Sequence, residues 1–169
     1  RLWFIDKLEG SIQYHIPSVL NLKGKLKTKA LEQAIQTIIR RHEALRTVIK
    51  ETNGMGYQLI RDAKDWKLTK TKQTLNQEQL KDYIKQSINQ AFNLTEDYML
   101  RGELITISKE EHILVVTLHH IASDGWSTSV MVKEVVELYN ATDQGRTPQL
   151  KALPIQYADY AMWQRKYLS

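Results

Sequence analysis

The residues best able to do chemistry are gathered in one run, Leu118-His119-His120-Ile121-Ala122-Ser123-Asp124-Gly125-Trp126-Ser127. It follows the most apolar stretch of the chain, Ile113 to Leu118, which is β-branched, bounded by charge and therefore predicts a buried strand. Titratable side chains at the end of such a strand are costly unless something satisfies or uses them. A neutral imidazole, with an ordinary pKa of about 6.5, is suited to taking a proton from an amine or alcohol near neutral pH, so the run offers general base chemistry. One histidine would face the core and be held by hydrogen bonds; the other would face a cavity with a free ring nitrogen. Gly125 lets the backbone come close to a substrate, and its N–H could meet a developing oxyanion. Asp124 is then a wall element paired with an arginine rather than an acid. The plain alternative makes both histidines satisfied core residues, and the Asp-Gly-Trp-Ser that follows them argues against it.

Other chemistries fit less well. Neighbouring residues on a strand point to opposite faces, so His119 and His120 do not share one metal ion, and Gly125 opposes the helix that would bring His120 and Asp124 together. Metal ligands are therefore expected to be absent. There is no Gly-x-Ser-x-Gly elbow for a serine hydrolase, and Ser127 reads as the N-cap of the following helix. Cysteine is absent, which removes disulfides, thiolate metal sites and thiol nucleophiles.

The elements that must position this run can be read in order. Residues 1–8 form a short amphipathic segment, and Ile12 to Leu22 an extended strand interrupted by Pro17 and ending at Gly24. Thr28 is placed to cap the strongest helix, in which Leu31, Ala34, Ile35, Ile38, Ile39, His42, Leu45 and Ile49 keep three- and four-residue spacing. A turn at Asn53 to Gly56 precedes a strand at Tyr57 to Ile60. Asn76 with Gln79 forms a capping box for a helix carrying Leu80, Ile84, Ile88, Ala91 and Phe92 on one face. Leu104, Ile105 and Ile107 form a strand that a turn at Lys109 to Glu111 returns as a hairpin with Ile113 to Leu118. A helix with Val130, Met131, Val135, Leu138 and Tyr139 follows the histidines. Residues 143–154 form a turn-rich connection, and Gln156 to Leu168 a last helical pattern. The class is α/β or α+β, one layer of helix on a mainly antiparallel sheet.

At 169 residues and 42% hydrophobic content, the chain suits one globular domain or one lobe of a larger one. No apolar run approaches the roughly 20 residues that span a bilayer. With no signal-type segment, a cytoplasmic location is expected, and the ends read as those of a longer chain. The net charge is +5, and the lysines concentrated at Lys23 to Lys29 and Lys64 to Lys72 read first as solvated strand edges and second as a surface for an acidic partner. A nucleic-acid recognition motif is missing.

His119-His120-Ile121-Ala122-Ser123-Asp124-Gly125 resembles the His-His-x-x-x-Asp-Gly signature of condensation domains of non-ribosomal peptide synthetases. Arg1 to Ile5 resembles the second half of the family's first motif, and Arg41-His42-Glu43-Ala44-Leu45-Arg46-Thr47 and Tyr157-Ala158-Asp159-Tyr160-Ala161-Met162-Trp163 resemble its second and fourth, in family order and at family spacing. The resemblance implies a chloramphenicol-acetyltransferase-like fold of two lobes with a tunnel between them. Residues 1–169 would be the N-terminal lobe, without the C-terminal lobe that closes the tunnel.

It further implies an amide-bond-forming acyltransferase that joins a donor acyl or peptidyl thioester to the amine of an acceptor aminoacyl thioester. His120 is the catalytic residue, as base or positioner, and Gly125 lies at the reacting centre. His119 and Asp124 are structural, with Arg46, and Arg41 behind it, as the arginine facing Asp124. Loss of Asp124 would cost about 3–5 kcal/mol if it stranded a buried arginine. Trp126 packs at the tunnel mouth; Tyr160 and Trp163 are core residues. The implied partners are acidic donor and acceptor peptidyl carrier proteins, whose 4′-phosphopantetheine arms bring the substrates, together with the other lobe and a neighbouring adenylation domain. The lobe itself is expected to bind no cofactor. An epimerisation domain shares the histidine pair, but Gly125-Trp126-Ser127 fits condensation better. The His-x₄-Asp spacing of glycerolipid acyltransferases leaves the other motifs unexplained. An isolated lobe could also be a non-catalytic fragment that binds carrier proteins.

Overall fold

The computed structural model describes residues 2–5, 15–72, 74–119 and 128–150. Its centre is a five-stranded sheet in the order β1-β2-β7-β6-β5, with β1 at Leu2–Ile5, β2 at His15–Lys23, β5 at Thr69–Lys72, β6 at Leu100–Ser108 and β7 at Glu111–His119. All neighbours run antiparallel except β5 and β6, which are parallel. Leu20, Leu22, Leu104, Leu114, Val116 and Leu118 face α1 (Thr28–Arg41) and α3 (Thr128–Gln144) in the larger core. Val19, Ile105, Ile113 and Val115 face α2 (Gln77–Asn89), where Ile84 and Ile88 complete a second cluster. β7 is thus covered on both faces, which is why its sequence is continuously apolar instead of alternating. Helices lie on both sides of the sheet rather than in the single layer expected, because the Ile84 and Ile88 face of α2 needs its own apolar surface.

Several local expectations are corrected. The first segment, read only as short and amphipathic, holds a strand, β1. β2 runs unbroken through Pro17, which pairs with Thr117 of β7 but lies outside the Val19 to Leu22 span that pairs with β1, so among the described strands it has a neighbour on one side alone. Thr28 opens α1 but does not cap it. The cap position is Lys27, whose side chain makes no cap bond. Its backbone N–H donates to the Tyr139 hydroxyl at 3.0 Å, and its Nζ lies 2.6 Å from Asp143, so tertiary contact with α3 sets the start. α1 stops at Arg41 although the apolar spacing continues. Arg46 reaches back to the last carbonyls, its Nε donating to Ile39 O at 3.2 Å and its Nη2 to Arg40 O at 3.3 Å. Leu45 still enters the core from a 3-10 turn, Glu43–Arg46, whereas Ile49 belongs to a strand.

That strand, β3 (Thr47–Thr52), pairs with β4 (Met55–Ile60) in a separate hairpin. Asn53 and Gly54 form its two-residue turn with φ of 55° and 77°, the left-handed geometry that Asn-Gly adopts readily. α2 begins as expected: Asn76 accepts from the Gln79 N–H while the Gln79 side chain accepts from the Asn76 N–H. It ends at Asn89, so Ala91 and Phe92 lie beyond it; on α3, Met131, Val135 and Leu138 are buried and Val130 is exposed. The lysines of the edge strand β5 are exposed, which suits an edge that should not pair with other chains. The final helical pattern at Gln156 to Leu168 lies outside the described residues.

Candidate functional site

β7 carries His119 to its last position, where the backbone N–H of His119 donates to Met99 O at 2.9 Å. The Met99 N–H in turn donates to Leu45 O at 2.8 Å. Leu45 belongs to the Arg41 to Thr47 segment and is fully buried. Two backbone hydrogen bonds through one methionine therefore tie that segment to the strand end from which the histidine pair starts.

The His119 side chain lies on the α2 side of the sheet. Its ring meets Phe92 edge to face, with centroids 5.5 Å apart. The Arg101 guanidinium lies over the same Phe92 ring, 4.4 Å from its centroid. Arg101 Nη2 donates to Ser87 O at 3.0 Å and Gln90 O at 2.9 Å, occupying carbonyls that α2 leaves free at its C-terminus. Burial works against the Arg101 charge and lowers its pKa from the ordinary arginine value, so these carbonyls and the Phe92 face substitute for water. Helix end, cation, aromatic ring and His119 form one stack.

The other flank is ionic. Glu134, on α3, accepts from or pairs with His42 Nε2 at 3.0 Å and Arg41 Nη2 at 3.4 Å. Burial pushes the Glu134 carboxyl up, but the His42 hydrogen bond and charge, and then Arg41, outweigh it and hold the group below the ordinary carboxylate value. Arg46 also gives Nη1 to Arg61 O at 3.1 Å and approaches Glu43 at 4.0 Å.

Of the residues expected to form the site, His119, Arg46 and Arg41 are placed. His119 and Arg46 lie on segments joined through Met99. His120, Asp124, Gly125, Trp126 and Ser127 lie outside the described residues, as do Tyr160 and Trp163. Phe92, Met99, Arg101 and Glu134 were not anticipated. Glu134 had a signal: it shares the inward stripe of α3 with Met131, Val135 and Leu138, and an acid there needs a partner. Met99 had none, because it acts through its backbone. Among the described residues no cluster of His, Asp or Glu is arranged to hold a metal ion, and no helix is long and apolar enough to cross a membrane.

The condensation-domain family model matches residues 1–169, and the chain belongs to that family. It is 41% identical, over 99% of its length, to a probable non-canonical nonribosomal peptide synthetase, CymA, of Salinispora arenicola, and covers 2% of that protein. It is 39% identical, over its whole length, to one of the linear gramicidin synthase subunits of Brevibacillus parabrevis and covers 3% of it. Among solved structures, the X-domain from teicoplanin biosynthesis superposes with a TM-score of 0.82 at 36% identity, over 95% of this chain and 35% of that one. The epimerization domain of tyrocidine synthetase B superposes at 0.77 with 21% identity, over 91% of this chain and 36% of that one, which shows the fold alone. The chloramphenicol-acetyltransferase-like architecture expected of the family is therefore present, and the chain spans a small part of the synthetases it matches.

Proposed function

We propose that this domain is the N-terminal lobe of a condensation domain that makes a peptide bond during non-ribosomal peptide synthesis. The observation that carries the reading is the joining of the signature strand, through His119 and Met99, to the Arg41 to Thr47 motif in a chain of this family. The acceptor amine nitrogen attacks the donor thioester carbonyl carbon; a C–N bond forms, the C–S bond breaks and the carrier thiol leaves. His120 takes the amine proton or positions the amine, and the Gly125 N–H faces the oxyanion. His119 is structural, which its Phe92 contact supports. Asp124 pairs with Arg46, which still has N–H donors beyond those it gives to carbonyls, with Arg41 behind it. Donor and acceptor carrier proteins bring the substrates on phosphopantetheine arms. A second lobe completes the tunnel, an adenylation domain of the same synthetase neighbours it, and the compartment is the cytoplasm. The lobe holds no cofactor of its own.

A second reading, a non-catalytic lobe that docks another protein, is supported by the 35% identity to the X-domain that was solved in complex with OxyB. One experiment separates the two: single-turnover peptide formation between two loaded carrier proteins, with the two-lobe domain and its His120→Ala form. A loss of about 10² to 10⁴ with the fold intact is expected of a base. An unchanged rate removes His120 from the chemistry, and no product from either form leaves the docking reading.

A further inference from the structure

A cavity of about 340 Å³ lies between β2, β7 and the helices α1 and α3. Its floor is Leu20, Leu22 and Leu114, and its walls are Leu26 and Leu31 near the start of α1 and Val135 on α3. Protein interiors leave few voids larger than a water molecule. This one falls at the small end of the range for ligand cavities, about 300–1,000 Å³. Leu114 stands five residues before His119 on β7, about 17 Å along the strand. The cavity also lies on the α1 and α3 face of the sheet, whereas the His119 ring lies on the other. It is separate from the candidate site.

The rim is polar and of one sign. Lys23 and Lys25 belong to it, and among the described residues no acidic side chain lines the cavity. Lys23 stands opposite Glu111 in the β2–β7 register. Lys25 is exposed and makes no hydrogen bond or ion pair among the described residues. Tyr139 is pinned at the same end, because its hydroxyl accepts the Lys27 N–H at 3.0 Å. That bond uses a lone pair of the hydroxyl and leaves its O–H, which donates to no described group, open as a donor. Asn140, the next residue of α3, adds an amide with no described partner. Asp143 is engaged by Lys27 at 2.6 Å. The start of α1 has no acid in its first turn and no side-chain cap bond, so its dipole adds positive potential at the same place.

An apolar interior under a rim of donors and a cation selects its ligand by chemistry. We propose that this cavity binds a small monocarboxylate with a short apolar tail. The tail lies among the leucines, and the carboxylate meets Lys25, the Tyr139 hydroxyl and the Asn140 amide. Burial of the tail supplies the driving force, and the rim supplies charge-assisted hydrogen bonds. A cationic ligand would be repelled by Lys25, and a neutral chain would leave the rim donors without an acceptor. The inference does not depend on the condensation reading.

The test uses the two-lobe domain with octanoate, its neutral counterpart 1-octanol, and acetate as probes. Calorimetry is expected to show a single saturable site for octanoate with a Kd of about 1 mM or tighter. Octanol binds at least about tenfold more weakly, and acetate, which has no tail, does not bind measurably. Methyl spectra move at Leu26, Val135 and Val136 and stay in place at Ile84, on the other face of the sheet. Lys25→Glu, at an exposed position that leaves the fold alone, weakens octanoate about threefold to tenfold. Lys70→Glu on the edge strand β5 makes the same change in net charge and leaves the affinity as it was. Val136→Trp fills the cavity from its half-buried wall and abolishes binding. Equal affinity for octanoate and octanol, an affinity unchanged in Lys25→Glu, or methyl shifts away from the cavity overturns the proposal. So does an absence of binding, whether another part of the domain fills the cavity or it closes in solution.

Discussion

The His119 ring meets the Phe92 ring at an interplanar angle of 81°, with the electropositive ring edge directed at an aromatic face. Phe92 lies just past α2, so this contact couples the end of a surface helix to the end of the central strand. The pair is worth about 0.5–1.5 kcal/mol beyond its area, and the Arg101 cation over Phe92 adds about 0.5–2 kcal/mol. Phe92→Leu keeps most of the apolar volume and removes both. The expected result is a loss of about 1–3 kcal/mol in denaturant unfolding, with a displaced His119 ring signal. A neutral substitution would mean that the stack is incidental.

Arg101→Met tests the helix end separately. The guanidinium donates to the carbonyls of Ser87, Ile88, Gln90 and Ala91, and hydrogen bonds to a charged group each contribute about 1.5–3 kcal/mol. Some are long, so a net loss of about 2–3 kcal/mol is expected, together with faster amide exchange in the last turn of α2. Exchange unchanged there would show that water serves these carbonyls equally well.

Gly102 lies in β6 where a side chain would be crowded. A Cβ there would stand 3.1 Å from Leu68 Cδ1 and 3.2 Å from Trp66 Cη2 and Cζ2. Trp66 cannot easily retreat, because its indole N–H donates to Leu100 O at 2.9 Å within the core. Gly102→Ala should therefore destabilise by about 1–3 kcal/mol, as overpacking does, measured as a shift in denaturation midpoint at constant slope. A stabilised variant would show that the Trp66 environment gives way.

How far the sequence could be read depended on where each signal was stored. The capping box at Asn76 is local and stands as read; the turn at Asn53 to Gly56 was also a local signal, but it is tighter than read, because Met55 and Gly56 already belong to β4. The apolar run of β7 announced burial but could not say which elements covered it, so the two-sided packing was missed. The end of α1 was misplaced because its stop comes from Arg46 and from contacts with α3, while the apolar spacing runs on into Leu45. β5 went unread because Thr69 to Lys72 has no apolar alternation; it is a strand by virtue of its pairing with β6. At the site, the residue types in the signature were legible, but the support given by Met99, Phe92, Arg101 and Glu134 depends on tertiary neighbours distant in sequence.

Acid should weaken the fold in two stages with separate origins. His112 lies in β7 within the core, its Nδ1 lacks a hydrogen-bond partner, and burial pushes its imidazole below the ordinary histidine value. The folded state therefore favours the neutral ring, while the unfolded chain takes up a proton near pH 6.5. Its effect on stability is absent well above that pH and grows as pH falls below about 6.5, until the folded-state value is also passed. Glu134 acts lower: its carboxyl is held below the usual value, so its contribution is full above about pH 4.3, the unfolded value, and is lost as pH falls through the folded one. Unfolding midpoints for the protein and for His112→Leu, followed from pH 7.5 to pH 3.5, separate the stages. The substitution should flatten the curve between about pH 6.5 and 5 and leave the steeper fall below pH 4.5 in place. Parallel curves through the upper window would show that the buried ring is not the group responsible for the first stage.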